Sequence, residues 1–304
     1  MNSTPPTTAG PAGQVDPEKP RVGLLGVGLM GSAMAGRLLE QGIPIIAWDL
    51  DSTHVHALEA RGAESATQPS DVVTGADIVI TMLPTAEVVL EVVQPLLDDW
   101  PEGTIWLQMS SVGATEADQL TDAAEAHAIA LVDAPVSGST LPAEHGQLTI
   151  LASGPDSVHA AVDPVFAALA SRVLWVGRAG MGSRLKLAAN HWMITMVAAL
   201  AESMHLCEAM GLDQQEFIAL LDGGPLGSAY AMQKLDEMRR HDYPVGFPVR
   251  LALKDLELVR EVEHTSRATM PVLDVAVERF RRASNDHADQ DLAAIYELDR
   301  AADS

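Results

Sequence analysis

The chain has 304 residues, a length that at about 150 residues per domain indicates two domains and rules out a small disulfide-stabilised scaffold. Hydrophobic residues make up 47% of the chain and charged residues 20%, so a packed globular core is expected. Nineteen basic against 42 acidic residues give a net charge of −23, which disfavours binding to nucleic acid or to an anionic membrane surface. An anionic ligand must therefore be held at a local site.

Residues 1–20 are rich in Thr, Pro and Gly and are predicted to form a disordered tail. They have neither the charged nor the apolar region of a signal peptide, and the longest apolar run, 193–201, is shorter than the roughly 20 residues of a membrane span. The single cysteine, Cys207, lies in an apolar stretch and is expected to be a buried free thiol. These features predict a cytoplasmic protein without a membrane span.

From residue 21 to about 176, short β-branched runs alternate with helical periods, the pattern of a parallel sheet covered by helices. After residue 180 only helical patterns follow, beginning with one continuous stretch over 183–210. The sequence therefore predicts an α/β fold, a Rossmann-type doubly wound sheet followed by an all-α C-terminal domain. The acidic residues 286–304 are expected to form a solvated face. The predicted strands are Val22–Leu25, Ile45–Trp48, Ile78–Met82, Thr104–Leu107, Ala130–Val132, Thr149–Leu151 and Val173–Val176.

A glycine motif, GVGLMG over Gly26 to Gly31, joins the first predicted strand to the first predicted helix. The motif is weak by itself, but this position is that of a dinucleotide-binding turn. Gly26 permits the tight turn, Gly28 lets a pyrophosphate approach the backbone, and Gly31 lets helix and strand pack closely. The helix N-terminus, with Leu29 and Met30, then faces the phosphates, so an acidic chain can hold an anion on backbone N–H groups. A glycine turn without a ligand is the alternative.

A carboxylate at the end of the second predicted strand, Asp49, follows Gly26 at close to the ~20-residue spacing at which an acid binds the adenosine ribose hydroxyls. Leu50 and Asp51 come next. A 2′-phosphate favours a cation at this place, and two carboxylates that flank a leucine repel it. The sequence therefore predicts NAD as the cofactor, with NADP as the alternative.

Four stretches of the chain, in order, resemble the β-hydroxyacid dehydrogenase family, which includes 3-hydroxyisobutyrate dehydrogenase and tartronate semialdehyde reductase within the 6-phosphogluconate dehydrogenase superfamily. The resemblance covers nearly everything from Arg21 to the C-terminus. It implies an NAD(P)-dependent oxidoreductase that interconverts a small 3-hydroxy acid and its semialdehyde. The stretches are the glycine-rich run 26–38, the segment DAPVSGS over 133–139, the segment GMGSRLKLAAN over 180–190, and Phe247 with the Lys254-Asp255-Leu256 motif.

The same resemblance implies the domain organisation and the partners. It predicts a dinucleotide-binding Rossmann domain over 21–178 and an all-helical substrate and dimerisation domain over 179–304, with the active site between them. It also predicts a homodimer or homotetramer whose ligand is a small hydroxy acid or semialdehyde.

Two polar side chains lie four residues apart on the long predicted helix, Lys186 and Asn190, so they project from one face of it. A lysine that is partly desolvated in a cleft has a lowered pKa and can exchange a proton near neutrality, which arginine cannot do. Lys186 is therefore predicted to accept the alcohol proton in oxidation and to donate it in reduction, with Asn190 on the same substrate oxygen. A solvated lysine at a helix rim is the alternative.

Small polar residues follow two of the predicted strands. Ser137, Gly138 and Ser139 form a loop whose N–H and hydroxyl donors can hold a carboxylate, with a plain tight turn as the alternative. The pair Ser110 and Ser111 matches the family's paired Ser/Thr, which implies substrate binding by Ser110 and contact of Ser111 with the cofactor.

The nicotinamide end of the cofactor is placed by the resemblance alone. It implies contacts from Leu83, Pro84, Phe247 and Lys254, with Lys254 contacting cofactor or substrate and Asp255 orienting it. An exposed charge pair on a helix is the alternative for Lys254 and Asp255. No metal site is predicted.

Three positions depart from the family pattern and leave the substrate open: Arg37 for a small polar residue, Ser139 for a second glycine of the substrate loop, and His191 for a second Asn. The alternatives to a hydroxyacid dehydrogenase are an imine reductase-like NADPH enzyme and a non-catalytic cofactor-binding module. Imine reductases usually lack the catalytic lysine and mostly use NADPH, so Lys186 and Asp49 argue against that class. A module without turnover is expected to have lost Lys186.

Overall fold

The computed structural model describes residues 19–299. Short 3₁₀ helices cover Gln94–Asp99, Asp156–Val158 and Leu292–Asp299. The strands are β1 (Val22–Leu25), β2 (Ile45–Trp48), β3 (Glu64–Ser65), β4 (Ile78–Thr81), β5 (Ile105–Gln108), β6 (Leu131–Asp133), β7 (Val136–Ser137), β8 (Leu148–Ala152) and β9 (Ala170–Trp175). The helices are α1 (Leu29–Glu40), α2 (Ser52–Glu59), α3 (Pro69–Thr74), α4 (Ala86–Val93), α5 (Ala114–Ala126), α6 (Thr140–Glu144), α7 (His159–Leu169), α8 (Met181–Ala209), α9 (Gln214–Leu221), α10 (Ala229–Arg240), α11 (Val249–Thr265) and α12 (Pro271–His287).

The larger sheet is parallel throughout, with strand order β3-β2-β1-β4-β5-β6. The strand order reverses between β1 and β4, which are neighbours in the sheet although two strands separate them in the chain. In doubly wound sheets, ligands bind beyond the carboxyl ends of the strands at this point. The predicted fold class is therefore confirmed, and the loops after β1 and β4 lie at the edge of the sheet where a ligand is expected.

A second sheet of three strands, β7-β8-β9, contains two of the strands that the sequence analysis assigned to the single parallel sheet. β7 pairs antiparallel with β8, and β8 pairs parallel with β9. Between β6 and β7 the chain passes through Pro135, whose backbone has no N–H to donate to a neighbouring strand. The expectation of one parallel sheet up to about residue 176 is wrong, because β-branched runs identify strands but not their partners.

The C-terminal half of the described chain is helical, and its longest element is α8, with 29 residues and a length of about 44 Å. Its buried apolar cluster is built from residues 187 onward, whereas the two clusters on either face of the large sheet are built from residues 22–169. These separate cores support the proposed domain boundary near residue 178, which stays a prediction. Cys207 is a buried free thiol, as predicted.

The predicted solvated face over 286–304 is wrong at residues 291–296, whereas Asp286, Asp289 and Gln290 are exposed as predicted. The side chains from Leu292 to Tyr296 are buried in the helical core, and so is Asp291. A carboxylate can be buried here because it is paired with the ammonium group of Lys234. The predicted N-terminal tail, residues 1–20, lies outside the described residues except for its last two. In the part of the chain that is described, the helices are too short or too polar to cross a membrane.

Candidate active site

The glycine turn after β1 has the geometry that a dinucleotide requires. Gly26 has a φ of +103°, and a Cβ there would lie 2.4 Å from the carbonyl oxygen of Met82 in the neighbouring strand's loop. A Cβ at Gly31 would lie 2.1 Å from the carbonyl oxygen of Gly26, so this glycine lets α1 pack against the turn. Gly28 differs from both, because a Cβ there would meet no atom within 4 Å.

Gly28 is also the N-cap residue of α1, and no side chain caps this helix end. Leu29, the first residue of the helix, is exposed. The backbone N–H groups of the first turn therefore have no capping side chain, and the helix dipole at this end favours an anion. The residues present fit the pyrophosphate of a dinucleotide, with backbone donors from Leu29, Met30 and Gly31 as the groups that would hold it.

Asp49 follows β2 beside the glycine turn. Its Oδ2 accepts a hydrogen bond from the backbone N–H of Val27 at 2.6 Å, and its Oδ1 accepts one from the N–H of Asp51 at 2.9 Å. The carboxylate is thus fixed against the turn, where its remaining lone pairs can accept from ribose hydroxyls. Hydrogen bonds from the hydroxyl and N–H of Thr53 lower the pKa of Asp51, so a second negative charge stands beside it.

The loops after β4 and β5 are joined by the side chain of Ser110. Its hydroxyl accepts a hydrogen bond from the N–H of Leu83 at 2.8 Å and lies 3.3 Å from the carbonyl oxygen of Thr81, to which it donates. Gln108 holds the backbone of Ser110 at both its N–H and its C=O. Ser110 is fully buried and positions the Leu83–Pro84 turn. Substrate binding by its hydroxyl stays a prediction: one lone pair remains for a substrate donor, whereas a substrate acceptor would have to displace the bond to Thr81.

Lys254 of α11 connects the helical half of the molecule to these loops. Its Nζ donates to the carbonyl oxygen of Ser111 at 3.0 Å and to that of Pro84 at 3.3 Å. Its Nζ also lies 3.4 Å from Oδ1 of Asp255, which is an ion-pair distance without a hydrogen bond. The structure therefore brings Pro84, Ser111 and Lys254 together, and the ammonium group binds backbone carbonyls. Contact of these residues with the cofactor stays a prediction.

Lys186 and Asn190 lie on the face of α8 that meets α11. The Nδ2 of Asn190 donates to Oδ2 of Asp255 at 2.5 Å, and both side chains are buried. The other carboxylate oxygen of Asp255, Oδ1, is buried and accepts no hydrogen bond within the described structure. A buried carboxylate with one unsatisfied oxygen is a strong acceptor for a group that enters the cleft.

The ammonium group of Lys186 lies in the field of both charged residues of the Lys254-Asp255 pair. Burial lowers its pKa below the ordinary value, the negative charge of Asp255 opposes this shift, and the positive charge of Lys254 adds to it. The net direction is downward, so Lys186 can exchange a proton closer to neutral pH than a solvated lysine can.

The start of α8 is fixed by a carboxylate to which the sequence analysis gave no role. Asp133, at the end of β6, accepts from the N–H of Ser183 at 2.8 Å and from its hydroxyl at 2.6 Å. The hydroxyl of Ser153 lies 3.2 Å from the same carboxylate and accepts from the N–H of Gly182 at 2.9 Å. Burial raises the pKa of Asp133, although the hydrogen bonds from Ser183 oppose the shift. These contacts place the first turn of α8, and with it Lys186, at the carboxyl edge of the sheet.

The predicted substrate loop follows Asp133 within a few residues. Gly138 has a φ of +128°, and Ser139 is the N-cap residue of α6, although its hydroxyl does not cap the helix. This loop meets the helical half at Gly246, where a Cβ would lie 3.9 Å from Cβ of Ser139. Phe247 follows Gly246, so the two stretches that the resemblance assigned to substrate and nicotinamide are neighbours.

Two family models match the chain in consecutive ranges. The model of the NAD-binding domain of 6-phosphogluconate dehydrogenase matches residues 21–177, and that of the NAD-binding domain of NADP-dependent 3-hydroxyisobutyrate dehydrogenase matches residues 180–298. The matches therefore cover both the sheet with its glycine turn and the helical half that carries Lys186 and Lys254.

Known proteins resemble the chain over nearly their full length. Glyoxylate/succinic semialdehyde reductase 1 of Arabidopsis thaliana is 32% identical over 91% of this chain and 97% of its own. A structure of 3-hydroxyisobutyrate dehydrogenase from Mycobacterium tuberculosis with L-serine superimposes with a TM-score of 0.87 at 28% identity, covering 93% of this chain and 100% of that one. An imine reductase from Pseudomonas sp. has a TM-score of 0.61 at 23% identity over 92% of this chain and 99% of its own, a likeness of fold alone. The chain therefore belongs to the NAD(P)-dependent β-hydroxyacid dehydrogenase family.

Proposed function

We propose that the protein interconverts a small 3-hydroxy acid and its semialdehyde with NAD(H), and that Lys186 is the general acid and base. The observation that carries this proposal is the arrangement of Lys186 and Asn190 on one face of α8, next to the buried Asp255. The relative named as a glyoxylate and succinic semialdehyde reductase supports an aldehyde acid as the class of substrate.

The bound nicotinamide supplies or accepts the hydride, and the chain supplies the proton and the binding site. In reduction, the protonated Lys186 donates a proton to the substrate oxygen as negative charge develops there, and in oxidation the neutral amine accepts the alcohol proton. Asn190 is held by Asp255, so its position beside that oxygen is fixed before substrate enters. Asp133 and Ser183 hold the helix that carries both residues.

The carboxylate of the substrate binds at the loop from Ser137 to Ser139. This chain has few cations to offer, and the loop supplies neutral donors in their place. These donors are the hydroxyls of Ser137 and Ser139 and the backbone N–H groups of the loop. The loop takes this conformation because Gly138 has a positive φ. The Gly246–Phe247 segment closes the opposite side of this loop.

The proposal is tested by a turnover assay that follows the absorbance of the reduced nicotinamide with short semialdehyde acids and with 3-hydroxy acids of matched length. Turnover is expected with the semialdehyde acids and the 3-hydroxy acids. It is expected to be lost with aldehydes of the same length that have no carboxylate. Turnover of cyclic imines in place of semialdehydes would replace the proposal with an imine reductase. Tight cofactor binding without any turnover would leave a binding module.

The cofactor preference is expected to be for NADH over NADPH, because Asp49 and Asp51 place two carboxylates where a 2′-phosphate would lie. Leu50 between them is 91% exposed, so its replacement changes the local charge without disturbing the fold. We expect Leu50→Arg to raise the ratio of kcat/KM for NADPH to that for NADH by about tenfold, the effect of about 1.4 kcal/mol of added phosphate binding. Leu50→Gln, a polar change without charge, is the control and should leave the ratio in place.

The oligomeric state is expected to be a homodimer or homotetramer that pairs through α8. Leu185, Trp192 and Leu206 of this helix are exposed and recur at multiples of seven residues, so they form one apolar stripe. Trp192 is 63% exposed, and a buried tryptophan at a subunit contact carries a large share of the binding energy. Light scattering is expected to give a mass of two or four chains for the wild type and half that mass for Trp192→Glu. The same change at the equally exposed Leu141, outside the helical half, should leave the mass as it is.

A further inference from the structure

A lysine is buried in the helical half with two carboxylates around it. Only 1% of Lys234 is exposed, and its Nζ lies 2.7 Å from Oδ1 of Asp291 and 2.9 Å from Oε2 of Glu237. The ammonium group also lies 5.2 Å from the centre of the Tyr230 ring. None of the proposed catalytic steps uses these side chains, although Asp291 contacts the Gly246–Phe247 segment beside the substrate loop.

Asp291 does more than balance the charge of Lys234. Its Oδ2 accepts hydrogen bonds from two consecutive backbone N–H groups, those of Phe247 at 2.9 Å and Gly246 at 3.2 Å. Its Oδ1 accepts a third from the N–H of Ala293 at 3.0 Å, in addition to the ammonium group. One carboxylate therefore fixes the backbone of the segment that contains Phe247.

The segment that Asp291 holds lies directly against the predicted substrate loop. A Cβ at Gly246 would lie 3.2 Å from Oδ2 of Asp291 on one side and 3.9 Å from Cβ of Ser139 on the other. The backbone at Gly246 thus fills the space between the buried carboxylate and the substrate loop. A shift of Asp291 moves the wall of the pocket at Ser139.

The same contacts fix the beginning of α11, which carries Lys254 and Asp255. Pro248, the N-cap residue of α11, forms a β-bridge with Asp291, and the N–H of Val249 donates to the carbonyl oxygen of Gln290. Since the helix starts at Val249, the position of this end sets the position of the Lys254-Asp255 pair about one and a half turns later.

We propose that Lys234, Glu237 and Asp291 form a positioning cluster that fixes the Gly246–Phe247 segment, and through it the substrate wall at Ser139 and the start of α11. Buried ion pairs are poor sources of stability, because desolvation offsets most of their attraction, so a positional role explains the cluster better than a stabilising one does. The cluster acts through other residues and touches no reacting atom. Its effect on catalysis rests on the function proposed above.

The test compares Lys234→Met with Val277→Ala, a truncation in the same helical core but on a different helix, α12. Lys234→Met leaves Asp291 and Glu237 without their shared cation, so Asp291 moves or takes up a proton and loosens its hold. In Lys234→Met, the rate of amide hydrogen exchange at Gly246 and Phe247 is expected to be about tenfold higher than in Val277→Ala. This is the size of effect expected when an amide loses the protection of one hydrogen bond. The KM for the semialdehyde is expected to rise by about tenfold with a smaller fall in kcat, because the pocket wall at Ser139 is displaced directly, whereas Lys186 lies on α8 and is affected only through Asp255.

Two further variants provide a rescue and a safeguard against misfolding. Lys234→Met/Glu237→Gln removes the surplus carboxylate and leaves Asp291 with its three backbone donors, so it is expected to restore most of the exchange protection and of the KM. If Lys234→Met does not fold, Asp291→Asn takes its place in the comparison, because it keeps Lys234 paired with Glu237 and weakens the acceptor of the Gly246 and Phe247 N–H groups, and it is expected to raise their exchange in the same way. Unchanged exchange at Gly246 and Phe247 in a folded variant with a lowered unfolding midpoint would overturn the proposal. Because exchange needs no turnover, it decides the matter even if the wild type reduces no semialdehyde, an outcome that counts against the proposed function alone.

Discussion

Replacing Lys186 by methionine is expected to lower kcat for semialdehyde reduction by about 10³-fold, the usual contribution of a positioned general acid, while the Kd for NADH changes by less than about threefold. Methionine keeps the length and the apolar stem of the side chain but has no proton to give. The substrate oxygen must then receive its proton from water, which is a much weaker acid than the ammonium group. Steady-state kinetics and a fluorescence titration of NADH give the two quantities on the same preparation.

The pH dependence gives an independent reading of the same residue. Burial lowers the pKa of Lys186, so its protonated fraction falls as the pH rises through a value below that of a free lysine. Reduction, which needs the protonated form, should therefore slow as the pH rises, and oxidation should accelerate over the same interval. Lys186→Arg stays protonated throughout and should lose the oxidative reaction. The control for Lys186→Met is Lys19→Met, the same change at an exposed lysine. An equal loss of kcat in these two variants would contradict the assignment of Lys186 as the general acid and base.

The elements with a strong local pattern were predictable from the sequence, and their partners were not. The first two strands have the same bounds as the runs of β-branched and apolar residues that predicted them, Val22–Leu25 and Ile45–Trp48. By contrast, β7 has only two residues, too few for any period, and it determines that β8 and β9 belong to a separate sheet. Acidic composition at the C-terminus predicted exposure, but a carboxylate with a buried lysine as partner reverses that expectation at Asp291.

The candidate site shows the same division between local and long-range information. The spacing of Lys186 and Asn190 placed them on one helix face, because a helix fixes neighbours four residues apart. Their partners come from other elements: Asp255 lies 65 residues from Asn190, and Asp133 lies 50 residues from Ser183. The helical and strand periods of a sequence predict contacts between near neighbours only, so they do not predict these long-range contacts. The sequence analysis therefore gave Asp133 no role, although it lies at the carboxyl end of a buried strand, where such an anchor could have been sought.

The second large effect is expected at the glycine turn, where Gly28→Ala should weaken NADH binding by about 100-fold, or about 2.7 kcal/mol, without lowering the unfolding midpoint. A Cβ at Gly28 meets no protein atom within 4 Å, and the φ of this residue is −67°, which alanine adopts freely. The added methyl group therefore meets no steric clash in the folded chain alone, and only the small N-cap preference for glycine over alanine opposes it. It occupies the space that the pyrophosphate needs in order to reach the N–H groups at the start of α1, so only the complex is destabilised. Isothermal titration with NADH and thermal unfolding without cofactor measure the two effects separately.

Gly31→Ala distinguishes this reading from a general weakening of the turn. Its Cβ would lie 2.1 Å from the carbonyl oxygen of Gly26, a backbone atom that cannot move without displacing β1 from α1. Gly31→Ala should therefore lower the unfolding midpoint as well as the affinity, whereas Gly28→Ala lowers the affinity only. Equal loss of stability in both variants would mean that the turn serves the fold at both positions. Unchanged NADH affinity in Gly28→Ala would mean that the pyrophosphate does not approach the backbone at Gly28, and the cofactor site would then have to be sought away from the N-terminus of α1.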